Sequence, residues 1–390
     1  MTTGSIHIAM TSDCGLKRKN NQDTGLTHQG VYVVCDGMGG GMGGEQASQL
    51  AVRRFAELSN VQYRNRELIS ETLEDAQQQV LQLGQQLGGV AGTTITGLIL
   101  PAKPSTISSA DTSAAASTDP AGSNAEAAAP SQYDIAETPT AGPDPSASSD
   151  GPIDDSTLDG SGSYGTDAAA DEDGDTDATF SPTSPTVFDS YCVSQQVYVV
   201  NIGDSRTYHL SPKNAFSASQ ESSSSSSASS QNTPVWDPAS LTRITRDHSQ
   251  RQEAIDSGLM TPEAAAVLVP RNIITQCLGD PEGIAPDIYV ADLTGRYIIC
   301  SDGLYSEVPD HLIASIAAAH ASPRAAVDAL VQAALQAGGH DNITVIVVDM
   351  PTPEHESHAF SAFRLGDGED IGAIEDTTLQ TLRTIRSIQP

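Results

Sequence analysis

The chain has 390 residues, 50 of them acidic and 19 basic, for a formal charge of −31 at neutral pH. That balance weighs against nucleic-acid binding, which needs clustered Lys and Arg. No apolar run approaches the ~18 residues of a membrane-spanning helix, so a membrane is set aside as well.

In chain order, Ser5 to Met10 alternates and predicts a strand, and Thr11 to Asp23 a polar loop. Val31 to Cys35 predicts a second strand, ending in a glycine cluster between Gly37 and Gly44. Glu45 opens a helix whose apolar face is Ala47, Leu50, Ala51, Phe55 and Leu58, and a second helix covers about Arg66 to Leu87. Gly92 to Leu100 predicts a strand. Gln196 to Ile202 predicts another, paired as a hairpin with Arg206 to Leu210 across the Gly203-Asp204 turn. Short helices are expected over Gln250 to Ser257 and Pro262 to Val269, then strands at Ile288 to Val290 and Tyr297 to Cys300. Two more helices, Pro309 to Ala319 and Pro323 to Ala337, precede a last strand from Ile343 to Asp349. Antiparallel strands with helices in consecutive pairs predict an α+β fold: two antiparallel sheets covered by helical hairpins.

Three segments lack this periodicity. Residues 101–190 are rich in Ala, Ser, Thr, Pro, Gly and Asp and hold 17 acidic residues against Lys103 alone, about half of the net charge. Residues 211–238 contain Glu221 and a run of serines, and residues 351–390 are polar. The expectation is one domain over residues 1–350, interrupted by two disordered insertions and followed by a polar tail. The periodic remainder, about 230 residues, suffices for one buried core. Five cysteines show no C-x-x-C spacing, and Cys35 and Cys300 lie inside apolar strands. This suits a reducing compartment. With no signal-peptide apolar region, a soluble cytoplasmic protein is expected.

Four aspartates sit where an apolar run meets a polar turn: Asp36, Asp204, Asp302 and Asp341. An Asp before Gly is most often a turn residue that bonds its own backbone, and each of these taken singly is consistent with that. The glycine cluster is not followed by Lys-Ser/Thr and lacks G-x-G-x-x-G in a βαβ setting, so neither a P-loop nor a dinucleotide site is expected. Carboxylates at the rim of a sheet, far apart in sequence, are what a hard divalent cation needs.

Taken together, Asp36-Gly37-Met38-Gly39-Gly40, Gly203-Asp204-Ser205-Arg206, Ser301-Asp302-Gly303 and Asp341-Asn342 resemble motifs of the metal-dependent protein phosphatase family (protein phosphatase 2C). Arg18 to Asp23 resembles its Arg-x-x-Asn-Glu/Gln-Asp motif. Gly92-Thr93-Thr94, Thr242 to Ser249 and Arg271 to Gly279 are similar to the bacterial branch. The resemblance implies a four-layer α-β-β-α sandwich and a serine/threonine phosphoprotein phosphatase that opposes a bacterial kinase. It implies two Mn²⁺ or Mg²⁺ ions per site, with a possible third. Asp36 would bridge both ions, the Gly37 carbonyl would bind one, Asp302 and Asp341 would complete the pair, and Asp204 would help Asp302 hold the third. Asp23 would accept hydrogen bonds from water in the centre, and Arg18 would clamp the substrate phosphate. Phosphorylated serine/threonine proteins, a kinase among them, are the expected partners of a monomeric enzyme. The rival is a pseudophosphatase, the same fold serving as a phosphoprotein-binding module.

Two positions depart from the family pattern. Gln22 stands where some relatives carry a glutamate, and Met38 where eukaryotic relatives carry a histidine proposed as general acid. His248 and His340 lie near motifs, but each is expected to be a surface-loop histidine. The segment from Thr245 to Gly279 resembles a mobile flap and is where substrate choice is expected.

Overall fold

The longer strands are apolar on both faces, and a strand buried on both sides must lie inside a layered core. In the computed structural model, the described residues are 5–39, 43–104, 186–187, 196–213, 236–351 and 359–371. They all fall in the unit formed by Met1–Thr138 and Pro185–Pro390, while the second unit, Pro139–Ser184, lies outside them. The two insertions expected to be disordered, and Cys192, fall outside the described residues except for 101–104, 186–187, 211–213 and 236–238. At those ends the expected bounds were too wide, since Trp236 is buried and bridges Pro212.

Along the chain the strands are β1 (Ser5–Asp13), β2 (Asp23–His28), β3 (Val31–Met38), β4 (Gly92–Thr93), β5 (Ile95–Ile99), β6 (Thr186–Val187) and β7 (Gln196–Ile202). They continue as β8 (Arg206–Leu210), β9 (Thr242–Arg243), β10 (Asp287–Asp292), β11 (Arg296–Cys300), β12 (Ile343–Asp349) and β13 (Ala362–Arg364). The helices are α1 (Gly43–Ser59), α2 (Arg66–Gln86), α3 (Gln250–Asp256), α4 (Pro262–Leu268), α5 (Asp302–Tyr305), α6 (Asp310–Ala319) and α7 (Pro323–Ala337). One sheet has the order β6-β1-β12-β11-β8-β9, and the other β13-β10-β7-β5-β3-β2, with β4 beside β3.

Side-chain alternation assigns the layers. Val31, Val33 and Cys35 of β3 join Phe55 of α1 and Leu73 of α2 in one core. Tyr32 and Val34, on the other face of β3, meet Tyr297, Ile299 and Ile346 of the opposite sheet. Ile298, Val345 and Val347 pack outward on Ile313 of α6 and Leu330 of α7. The result is the expected α-β-β-α sandwich of two antiparallel sheets. Each fully buried aliphatic side chain stabilises it by about 1.5–3 kcal/mol relative to exposure. Among the described residues no helix is long and apolar enough to cross a membrane.

Three sequence expectations need correction. The predicted hairpin does not form: β7 pairs with β5 and β10, whereas β8 pairs with β11 and β9. Both faces of β7 are buried, Val197 and Val199 between the sheets and Tyr198, Val200 and Ile202 toward the α1–α2 side, so it sits inside its sheet. The Gly203-Asp204 turn therefore passes the chain from one sheet to the other. Thr96 ties the crossing, its buried hydroxyl contacting the Val200 carbonyl at 3.2 Å and the Thr207 hydroxyl at 3.0 Å.

The second correction concerns β2, which pairs along β3 although it was not expected from Asp23-Thr-Gly-Leu-Thr-His. Leu26 is its one large apolar side chain, too few to show a period of two. Third, part of the polar tail is structured. β13 adds an edge to β10, and Leu365 and Ile371 are buried in the core beneath α1 and α2.

The registers align the two sheets. Cys300 faces Arg206 and Arg296 faces Leu210, so the Asp204 and Asp302 ends of β8 and β11 coincide. In the other sheet Asp23 faces Asp36, and Ile95 faces Ile202 just before Asp204.

Candidate metal centre

Each aspartate of the rim is placed by a strand end, and glycines let those ends approach. A Cβ at Gly37 would overlap the Gly44 carbonyl, so the bare backbone after Asp36 is what α1 packs against. A Cβ at Gly303 would overlap the Asn342 carbonyl, so the start of α5 fits directly against the residue after Asp341. These glycines serve close packing, not a phosphate cradle. The Asp36 backbone is fixed by Thr94, whose N–H donates to the Asp36 carbonyl at 2.9 Å and whose hydroxyl accepts from the Asp36 N–H at 3.0 Å. Thr94 in turn meets the Ser205 hydroxyl at 2.7 Å, which links Asp36 to the Asp204 turn.

The cluster is electrostatically frustrated. Asp36 is pushed well above the usual carboxylate range by burial and then by the charges of Asp23, Asp302, Asp204 and Asp341. Burial also raises Asp204, helped by Asp302 and Asp247. Asp302 goes up through burial and Asp341, although a hydrogen bond with Asp36 works the other way. Neighbouring carboxylates repel when both are ionised, and a cation between them relieves that repulsion. Asp23 is raised by burial despite accepting from the Ser301 hydroxyl at 2.6 Å. Its Oδ1 is buried without a hydrogen-bond partner.

The loop between β1 and β2 brings a cation to this rim. Arg18 donates to Asp341 Oδ2 at 2.6 Å, with its side chain about half exposed. Asn342 holds the loop in place: its Nδ2 donates to the carbonyls of Cys14 and Asn20, both at 3.0 Å, and its Oδ1 accepts from the Gln22 N–H at 2.8 Å. Asn21 accepts from the Asp23 N–H at 3.1 Å, orienting the start of β2.

Arg18, Asp23, Asp36, Asp204, Asp302 and Asp341 thus share one rim, with Gly37 adjoining it. Asp23 and Asp204 are buried, while Asp36, Asp302 and Asp341 keep a solvent-facing part. The donor chemistry fits a hard divalent cation: hard oxygens, excess negative charge and one orphaned buried acceptor. Among the described residues no three acidic, histidine or cysteine side chains are grouped tightly enough to cage an ion.

The two histidines part company. His340 is exposed on its loop and bonds Glu307 at 2.7 Å. His248 is buried, with its backbone N–H on the Gly203 carbonyl at 2.9 Å, contrary to the expected surface position. Met38 packs beside Gly92 and offers no proton. Ser301 was named only as part of the Ser301-Asp302-Gly303 motif and Tyr305 not at all, yet Ser301 bonds Asp23 and Tyr305 donates to the Asp204 carbonyl at 2.9 Å. Their signal was adjacency, since both lie within one helical turn of Asp302.

No family profile matches the chain. Protein phosphatase PhpP of Streptococcus pneumoniae is 36% identical over 116 residues, covering 29% of this chain and 47% of the relative. Serine/threonine protein phosphatase PstP of Mycobacterium tuberculosis is 37% identical over 114 residues, or 28% of this chain and 21% of the relative. Serine/threonine phosphatase stp of Listeria welshimeri is 30% identical over 156 residues, 40% of this chain and 52% of the relative. The chain spans about half the length of the curated relatives it matches, and less of PstP. Among solved structures, the M. tuberculosis phosphatase PstP superposes with a TM-score of 0.55 at 20% identity, over 89% of this chain and 99% of that one. The PstP catalytic domain in complex with two manganese ions gives a TM-score of 0.53 at 20% identity, over 88% and 98%. At such identity the likeness shows the fold.

Proposed function

We propose that this chain, which has the fold of the metal-dependent protein phosphatases and curated relatives that are serine/threonine phosphatases, hydrolyses phosphoserine and phosphothreonine in proteins. The observation that carries this reading is the convergence of Asp36, Asp204, Asp302 and Asp341 on one rim, with Arg18 bonded to Asp341.

Two Mn²⁺ or Mg²⁺ ions, when bound, would supply Lewis acidity that lowers the pKa of a water and stabilises the charge of an in-line displacement. Asp36, Asp302, Asp341 and the Gly37 carbonyl would hold that pair, and Asp204 with Asp302 a third, looser ion. Arg18 is exposed enough to turn its planar fork to the substrate phosphate. Asp23, opposite Asp36 in the β2–β3 register, would use its orphaned oxygen to orient water by accepting a hydrogen bond. In the reaction the water oxygen bonds to phosphorus as the ester P–O bond breaks, leaving a serine or threonine hydroxyl and inorganic phosphate. The substrates would be products of a serine/threonine kinase, and the enzyme a cytoplasmic monomer.

The test is p-nitrophenyl phosphate hydrolysis with Mn²⁺, with and without chelator, on wild type and Asp36→Asn. Turnover should require metal and fall by roughly three orders of magnitude or more in the variant. Wild type that binds a phosphopeptide but turns over nothing with either metal would make the chain a binding module instead.

A further inference from the structure

The Gly203-Asp204 turn is gripped from outside the carboxylate cluster. The Gly203 N–H donates to His248 Nδ1 at 3.3 Å, while the Gly203 carbonyl accepts from the His248 N–H at 2.9 Å and from Asn201 Nδ2 at 3.2 Å. One residue thus brackets both polar groups of the glycine that precedes Asp204. A ring nitrogen that accepts carries no proton, so the imidazole bears its hydrogen on Nε2. That nitrogen faces Asp287 Oδ2 at 3.4 Å.

Asp287 is itself anchored. The Tyr289 hydroxyl donates to Oδ2 at 2.9 Å and Arg364 of β13 reaches Oδ1 at 2.6 Å. His248 and Asp287 are 9% and 4% exposed, so water competes little for these bonds. The His248 carbonyl accepts from the Thr275 N–H at 2.9 Å, which joins the return of the α3–α4 segment to the same residue. With one nitrogen engaged by Gly203 and the other turned to Asp287, His248 is not placed to protonate a leaving group.

We propose that His248 is a positioning residue for Asp204: it fixes the crossover turn between the sheets, is oriented by Asp287, and connects that turn to the C-terminal strand β13 through Arg364. The proposal rests on the phosphatase reading only in giving Asp204 a metal to hold. The physical reason is leverage. Asp204 sits on a short turn between two sheets, so a shift of the Gly203 peptide moves its carboxylate relative to Asp36 and Asp302. Groups that orient a ligand from behind are worth about 10–100-fold in metal affinity.

Two substitutions separate the halves of the device. In His248→Asn the amide oxygen overlays Nδ1 and keeps the Gly203 bond, but contact with Asp287 is lost. In His248→Gln the amide reaches the Nε2 position and keeps Asp287, but Gly203 loses its acceptor. The experiment is titration of the full chain with Mn²⁺, followed by electron paramagnetic resonance and by the Mn²⁺ dependence of p-nitrophenyl phosphate turnover. The expected result is a weakest Mn²⁺ site about tenfold weaker in His248→Gln. His248→Asn, which keeps the Gly203 bond but loses Asp287, should weaken that site less, about threefold, and kcat of the Gln variant should recover at high Mn²⁺. A purely structural role would lower the melting temperature without separating the two variants in Mn²⁺ affinity.

Equal affinity in wild type and both variants, or equal loss in both, overturns the proposal. Should His248→Gln fail to fold, Arg364→Gln at the exposed end of the chain of contacts is expected to weaken the same site about threefold, and an unchanged site there also overturns it. Wild type that binds Mn²⁺ without metal-dependent turnover defeats the phosphatase reading alone. Wild type that binds no Mn²⁺ defeats both.

Discussion

The two ends of the sheets treat buried charge in opposite ways. At the end away from the aspartate rim, Asp349 takes two bonds from Arg296, at 2.6 and 2.7 Å. Arg296 gives its other N–H groups to the carbonyls of Ala317, His320 and Ala321 and lies over the Trp236 ring. His209, nearby, donates from Nε2 to the Thr294 carbonyl at 3.0 Å and stacks on Phe360. Burial pushes its imidazole down to about 3, so it is neutral in the folded chain. At the rim, five carboxylates raise or crowd one another, and Arg18 is bonded to one of them, Asp341. A matched buried charge holds structure together. Unmatched like charges cost stability, and such sites are where function is placed.

The largest effect is expected from Asp302→Asn, which should lower Mn²⁺-dependent phosphatase turnover by roughly three orders of magnitude while urea unfolding shows a chain at least as stable without metal. Asp349→Ala should do the reverse. Stranding Arg296 without its carboxylate should cost about 3–5 kcal/mol in urea unfolding, with kcat per folded molecule unchanged.

A smaller effect comes from acid. Because the folded value of His209 lies below its ordinary 6.5, the unfolded chain binds the extra proton between those values, so stability rises with pH across the window. The His209 contribution should fall by up to about 1.4 kcal/mol for each pH unit below 6.5. The rim carboxylates contribute with the opposite sign, so the quantity to read is the difference between wild type and His209→Gln in melts from pH 7 to 5, since the His209 contribution is absent from the variant. The smallest effect is expected from Arg18→Lys. The charge stays but the planar fork is lost, so kcat/KM should drop about fivefold, mostly through KM, with no change in melting.

Much of this was legible because short apolar runs ending in Asp-Gly report both a strand and its exit. Asp36 and Asp302 were placed that way, and Gly37 and Gly303 turned out to be required by packing. The Gly203-Asp204 turn was misread because local turn chemistry is the same for a hairpin and for a crossover between sheets. Only the burial of both faces of β7 separates them, and that is a property of its neighbours. β13 was lost in polar composition because its role is to complete an edge, which pairing supplies and hydrophobicity does not announce. His248 was read as a loop histidine because its partners, Gly203 and Asp287, are 45 and 39 positions away.

In the proposed metal centre the rim carboxylates are held against their own repulsion. Raised folded values mean that the folded chain holds more protons than the unfolded chain, so these groups lose stability for the metal-free chain as pH rises above the usual carboxylate range. The direct measurement is the melting temperature of wild type and Asp36→Asn at pH 8, each with chelator and with Mn²⁺. Without metal the variant should melt above wild type, and Mn²⁺ should raise wild type while leaving the variant nearly unmoved. A metal-free variant that melts below wild type, with the two responding alike to Mn²⁺, would mean that the rim is not a repulsive metal site.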